Sequence, residues 1–335
     1  MPIIFSISVF GICGCQRQSA LSVDVPTTVS TAEQTLATAV PTSVPTPEPT
    51  ATPTPLPTPM ITDEWYVQRT EDMRHWMQLY RTDATEQEID EKIARMEIDP
   101  NRPMVALTFD DGPMEGVSDR IVEILDRYDC RATFFIRGAR MKREVTTTLL
   151  RQILASGCEI GNHTWKHQIL PSTPYQEAYQ TIERVQDDVY NALGYTIRSM
   201  RPPGGYSDSL TARLAEKFGL AVVLWAQSGN VHEKDPALIA QNVMCQIVNG
   251  KELEDGDIIL LHDTKEHMVD AVEIIVPELL DAGYQLVTVQ ELLNLSDRGF
   301  HAGMTYHKQN ENAGSDSSND SSFNSSDELV AEAEE

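Results

Sequence analysis

The sequence predicts an α/β protein with a parallel sheet or barrel, and three observations carry that expectation. From Pro103 onward, short apolar runs alternate with segments of helical periodicity for about two hundred residues. The apolar runs are brief and continuous, as strands buried on both faces are. Acids, histidines and an arginine fall at or just past the C-terminal ends of those runs, where the loops of α/β barrels converge.

The elements follow in order. Trp65, Arg69, Met73, Trp76 and Tyr80 recur at helical spacing, so one face of a first helix is largely apolar. Thr85 and Glu88 form a capping box ahead of Ile89, Ile93 and Met96 and predict a second helix. Together these make a small helical accessory over residues 62–100, whose aromatics serve either core packing or contact with a sugar. The main domain spans 101–298. Its strands are expected at Val105–Phe109, Ala132–Ile136, Glu159–Asn162, a run ending at Arg201, Ala221–Trp225, Ile258–Leu261 and Leu286–Val289. Helices are expected between them, around Val117–Leu125, Leu149–Ala155, Tyr175–Leu193, from Ser209, over Pro236–Val248, and through Val272, Ile275 and Leu279.

Both ends of the chain differ from this pattern. Residues 299–335 are acidic and rich in Ser and Asn, and are expected to be a disordered tail. Residues 1–15 hold an apolar run, Ile3 to Ile12, too short to span a bilayer and suited to a signal peptide. The run ends in Ile12-Cys13-Gly14-Cys15, which resembles a bacterial lipobox, so Cys15 is the expected lipidation site and mature N-terminus. No Lys or Arg precedes the run, a departure from secretory signals. Residues 16–61 alternate Thr and Pro in their second half and read as an extended linker. The net charge of −25 excludes a nucleic-acid partner, because a phosphate backbone requires a basic face.

Four stretches carry the chemistry: Thr108-Phe109-Asp110-Asp111-Gly112-Pro113, His163-Thr164-Trp165-Lys166-His167, Arg201-Pro202-Pro203-Gly204-Gly205 and Leu260-Leu261-His262-Asp263. Adjacent carboxylates at a strand end can divide labour, one binding a metal and one acting as a base, although Asp-Asp-Gly is also an ordinary turn. His163 and His167 are four apart, so on a helical turn their rings share a face. With Asp111 they make three protein ligands, which leaves positions for water and substrate as a catalytic metal site requires.

In that order the four stretches resemble the polysaccharide deacetylases of carbohydrate esterase family 4, the NodB homology domain, over Pro103 to Leu293. The resemblance implies a distorted (β/α) barrel of about seven strands. It implies that Asp111, His163 and His167 hold one divalent metal, zinc first, with cobalt, nickel or manganese as alternatives. Asp110 would be the general base and Arg201 the cation that orients it. Gly204 would offer a backbone N–H to the oxyanion, Leu260 would line the pocket for the acetyl methyl, and His262 would be the general acid. One motif departs: an Asp-Ser-x-Asp-Trp pattern is replaced by Gln227-Ser228-Gly229-Asn230-Val231, which removes the aspartate that contacts the acid histidine in the family. Cys130 and Cys158 each precede an expected strand, and either a disulfide or two thiols suits that placement.

The expected function is metal-dependent removal of N-acetyl groups from an extracellular glycan, with peptidoglycan favoured because a tethered surface enzyme meets it first. The alternatives are an O-acetyl esterase on a xylan-like polymer and a catalytically weak glycan-binding pseudoenzyme. The chain is expected to be a monomer on the outer face of a bacterial membrane, lipid-anchored or secreted.

Overall fold

A computed structural model describes residues 63–141, 144–245, 250–296 and 298–309. The expected signal, Cys15 and the Thr/Pro-rich linker lie outside the described residues, as does 310–335. No described helix is long and apolar enough to cross a membrane.

Two helices come first, α1 (Asp63–Tyr80) and α2 (Glu86–Arg95). The Thr85–Glu88 capping box starts α2 as the sequence predicts. Met73, Met77, Ile89, Ile93 and Met96 form a small core between them. Trp76 stacks on Tyr80 and meets the edge of Tyr195, so its ring belongs to packing rather than to a sugar site.

The main domain runs β1 (Met104–Asp110), α3 (Ser118–Arg127), β2 (Ala132–Ile136), α4 (Glu144–Ala155), β3 (Glu159–Asn162), α5 (Tyr175–Leu193), β4 (Ser199–Met200), α6 (Ser209–Phe218), β5 (Ala221–Val223) and β6 (Gln227–Ser228). It continues with α7 (Pro236–Met244), β7 (Ile258–His262), α8 (Glu266–Asp281), β8 (Gln285–Leu286), α9 (Val289–Asn294) and β9 (Thr305–Tyr306). Among the described residues every strand pairing is parallel, in the order β6-β7-β1-β2-β3-β4-β5-β9, with β8 also on β1. The expected (β/α) barrel is the fold. Strand β5 pairs with β4 and β9, and after three residues the same chain, as β6, pairs with β7. The chain itself therefore bridges the two edges of the sheet. One core lies between sheet and helices around Phe109, Phe134, Ile160 and Leu261. A second fills the barrel, with Ala106, Phe135, Val223, Ile258 and Tyr306.

Three expectations are corrected. The last strand was expected at Leu286–Val289, but β8 ends at Leu286 because Thr288 caps α9 in a second capping box with Glu291. The helix expected over Pro236–Val248 ends at Met244, since Cys245 is extended (φ −155°) and bridges Glu252. The tail does not begin at 299: Tyr306 is fully buried in β9, and its hydroxyl donates to Gly299 O and accepts from the His301 N–H. Phe300 and Met304 pack against the same core as Tyr306, so this stretch belongs to the barrel. Cys130 and Cys158 are buried free thiols, each pushed up to about 12 by burial.

Candidate active site

The site is built at the C-terminal ends of β1, β3, β4 and β7. Asp110 ends β1 and is fully buried. Its Oδ1 accepts from Arg201 Nη1 at 2.8 Å, while Oδ2 is buried with no hydrogen-bond partner and lies 3.8 Å from His163 Nε2. Successive strand residues point to opposite faces, yet Asp111 joins the same site. Its φ of 72° explains this: one left-handed residue turns its carboxylate back toward the barrel mouth. Gly112 follows because a Cβ there would stand 2.1 Å from Asp263 Oδ2.

The histidines meet by a route other than the expected one. Residues 163–167 form a turn, not a helix, with Thr164 at φ 63° and His167 at φ 61°. The rings nonetheless face each other, 4.9 Å between centroids. His163 Nδ1 lies 2.7 Å from the Arg201 carbonyl oxygen. A carbonyl only accepts, so Nδ1 carries a proton, which leaves Nε2, the nitrogen facing Asp111, as the one a metal would take.

Asp111 Oδ1 is 3.9 Å from His163 Nε2 and 3.8 Å from His167 Nε2, and the three residues form one group able to hold a metal ion. The fit is good on two grounds. Asp111 Oδ1 is buried without a hydrogen-bond partner, a cost a cation would remove. Two imidazoles and one carboxylate are a ligand set for zinc and its neighbours. Burial pushes the Asp111 carboxyl up, but His163, His262, His167 and Arg137 outweigh it and hold the group below its ordinary value.

Arg201 is fully buried and fully used. Nη1 also donates to Thr108 Oγ1 at 2.7 Å, Nε to Val223 O and Nη2 to Leu224 O, both at 3.1 Å. The guanidinium lies over the Phe135 ring at 4.4 Å. On the neighbouring strand His262 stands in register with Asp110, and Leu260, buried at 5 %, stands in register with Thr108. Leu260 and His262 thus share a face of β7, one pleat apart. Gly204 sits in the one-turn helix after β4 with φ 65°, a conformation that favours glycine.

Arg137 had no motif to announce it, and Asp263 closed a motif without a role assigned to it. Asp263, 1 % exposed, receives the Ser118 hydroxyl in a short hydrogen bond, and its N–H donates to Asp110 O at 3.4 Å. It ties the β1 turn to β7. Burial first, and the Asp111 charge after it, push its carboxyl up to about 6, against the hydrogen bond from Ser118. Arg137, just after β2, places Nη1 3.6 Å from Asp111 Oδ1. The substituted loop turns elsewhere: Gln227 Nε2 donates to Lys251 O, and Asn230 Oδ1 accepts from the His232 N–H.

Residues 97–223 match the polysaccharide deacetylase family. The peptidoglycan-N-acetylmuramic acid deacetylase PdaC of Bacillus subtilis is 36 % identical over 197 residues, 58 % of this chain and 40 % of that protein. A peptidoglycan-N-acetylglucosamine deacetylase of Bacillus cereus is 34 % identical over 208 residues, 59 % of this chain and 91 % of the relative. The chain belongs to the polysaccharide deacetylase family. The structure of PdaC superposes with a TM-score of 0.53 at 33 % identity, covering 59 % of this chain and 93 % of that one. A family 4 acetyl xylan esterase from Clostridium thermocellum, in complex with a cobalt ion, gives 0.55 at 29 % identity, covering 61 % and 98 %. The match therefore takes in less than half of the full PdaC sequence but nearly all of its solved structure.

Proposed function

We propose that this polysaccharide deacetylase removes N-acetyl groups from an extracellular glycan, with peptidoglycan as the favoured polymer. The observation that carries this reading is the meeting of Asp111, His163 and His167 beside an Asp110 whose Oδ1 is held by Arg201 and whose Oδ2 is unspent. The peptidoglycan deacetylases among its relatives support the polymer.

The three ligands would hold one divalent ion, zinc before cobalt, nickel or manganese. That ion supplies Lewis acidity to water and to the amide carbonyl. Asp110 Oδ2 takes the proton of the attacking water, and Arg201 holds the carboxylate aimed. The Gly204 N–H is assigned to the oxyanion. His262, one strand over from the base, gives a proton to the leaving amine, which departs poorly without it. Leu260 offers the acetyl methyl an apolar wall.

Export is part of the proposal, with Cys15 lipidated and residues 16–61 spacing a monomeric enzyme from the outer face of the membrane. The substituted loop favours a second reading, O-acetyl ester hydrolysis on a xylan-like polymer. Neither Gln227 nor Asn230 brings His262 a carboxylate, and alkoxide leaves with less help than amine.

Acetate release from peptidoglycan, chitooligosaccharide and acetylxylan, with and without chelator, tests both readings. Chelator-sensitive release from the N-acetylated polymers is expected. Release from acetylxylan alone favours the ester reading, and no release from any metal-loaded sample defeats both.

A further inference from the structure

The strand between the two ligand-bearing loops also ends on a charge. Arg137 follows β2, and its backbone is clamped on both sides. Its N–H donates to Gly112 O at 3.0 Å, and the next two amides, of Gly138 and Ala139, donate to Thr164 O at 3.1 Å and Trp165 O at 2.8 Å. The aspartate turn, this residue and the histidine turn therefore form one rigid frame. The side chain, 23 % exposed, brings Nη1 to 3.6 Å from Asp111 Oδ1, beyond hydrogen-bond length. Its Nε is buried with no hydrogen-bond partner. A weakly hydrated, planar fork of donors thus stands at the rim with most of its capacity unspent.

Charge matching leaves the same residue over. Arg201 answers Asp110. A divalent ion at the ligand group more than answers Asp111. Arg137 is then a surplus positive charge beside the reacting centre, and a neutral acetamido group does not meet it. The neighbouring sugar substituent does so in one case. In glucosamine the carbon next to the acetamido group carries a hydroxyl. In muramic acid it carries a lactyl ether ending in a carboxylate or, where peptide is attached, an amide carbonyl. Both ends suit a guanidinium, and the carboxylate does so bidentately.

We infer that Arg137 is a specificity residue that binds the lactyl group beside the reacting acetamide, so that the site prefers muramic-acid residues to glucosamine residues. The inference rests on the deacetylase reading above. It differs from a role in stabilising the oxyanion, which would serve both sugars alike.

The test uses the full chain with its metal. Peptide-free peptidoglycan strands and chitooligosaccharide are the substrates, and mass spectrometry assigns each lost acetyl group to its sugar. Wild type is expected to deacetylate the muramic residue. Arg137→Gln should lower kcat/KM there by about 10–100-fold, mainly through KM, the scale of one lost charged hydrogen bond. Its loss on chitooligosaccharide should be at least about tenfold smaller. Arg137→Lys, which keeps the charge without the fork, should fall between. Calorimetric titration with N-acetylmuramic acid and N-acetylglucosamine reads the same preference without turnover. Selective, Arg137-dependent binding of the muramic sugar by a protein that releases no acetate would support the specificity assignment and remove the deacetylase reading. Equal action of wild type on both sugars, equal losses in Arg137→Gln, or lost metal with the sugar preference intact would each overturn the inference.

Discussion

The two ends of the barrel use the same residue types in opposite ways. At the C-terminal end, Asp110 Oδ2 and Asp111 Oδ1 are buried without hydrogen-bond partners, and Asp111, Thr164 and His167 adopt positive φ. At the N-terminal end, Glu159 is just as buried, yet accepts from Thr133 Oγ1, Ser199 Oγ and the Gln290 N–H. Glu291 beside it accepts from Arg69, Arg131 and the Thr288 N–H, and Met96 O accepts from both arginines. This second network fastens the helical accessory to the barrel. Neither burial nor a single unspent oxygen marks a functional carboxylate, since Asp257 before β7 is fully buried with Oδ1 unpartnered as well; the convergence of two such carboxylates with two histidines on strained turns does.

The largest expected effect tests the strained end. Asp111→Asn should lose metal and at least about 10³-fold in kcat/KM, since Lewis-acid stabilisation is worth several kcal/mol. The metal-free variant should lose only a small part of its stability relative to metal-free wild type, far less than Glu291→Ala loses, because the favourable field on the Asp111 carboxylate is opposed by its burial and by an oxygen without a hydrogen-bond partner. Metal analysis and denaturant titration read both, and a marked loss of stability would erase the contrast between the two ends.

Glu291→Ala tests the other end. It leaves the buried guanidinium groups of Arg69 and Arg131 without their carboxylate and should cost about 3–5 kcal/mol in urea unfolding. Turnover per folded molecule should be unchanged; a fall in it would mean that the accessory reaches the chemistry.

A pH titration sharpens the same point. Burial pushes Glu291 up, but Arg131, Arg69 and the Thr288 N–H prevail and hold it at about 2 against an ordinary 4.5. A carboxyl lowered on folding adds its stability in full above its unfolded pKa and loses it as pH falls through the folded one. About 3 kcal/mol should disappear between pH 4.5 and 2 in wild type. Glu291→Gln should flatten that limb, and an unchanged limb would assign acid unfolding to other groups.

The smallest effect concerns the C-terminal strand. Tyr306→Phe removes a buried hydroxyl that both donates and accepts, and should cost about 1 kcal/mol in thermal unfolding. No change would detach this segment from the fold.

Sequence legibility followed the strength of local signals. The continuous apolar runs gave the long strands, but β6 and β9, two residues each, have no periodicity to read. The Thr85–Glu88 box stands before a polar helix and was legible; the identical Thr288–Glu291 box was masked by the apolar run preceding it. His163 and His167 do come together, but two left-handed residues rather than a helical turn bring them there. Arg137 and Asp263 owe their places to loops from three strands, information absent from any single stretch of sequence.

The arginine that holds Asp110 has one more consequence. Val223 O and Leu224 O, which accept from Arg201, belong to the stretch where the chain leaves one edge of the sheet for the other. The guanidinium is thus a keystone: it pins the stretch where the chain crosses between the sheet's edges while holding Asp110 Oδ1. Architecture and reactivity share one residue and cannot be tuned apart.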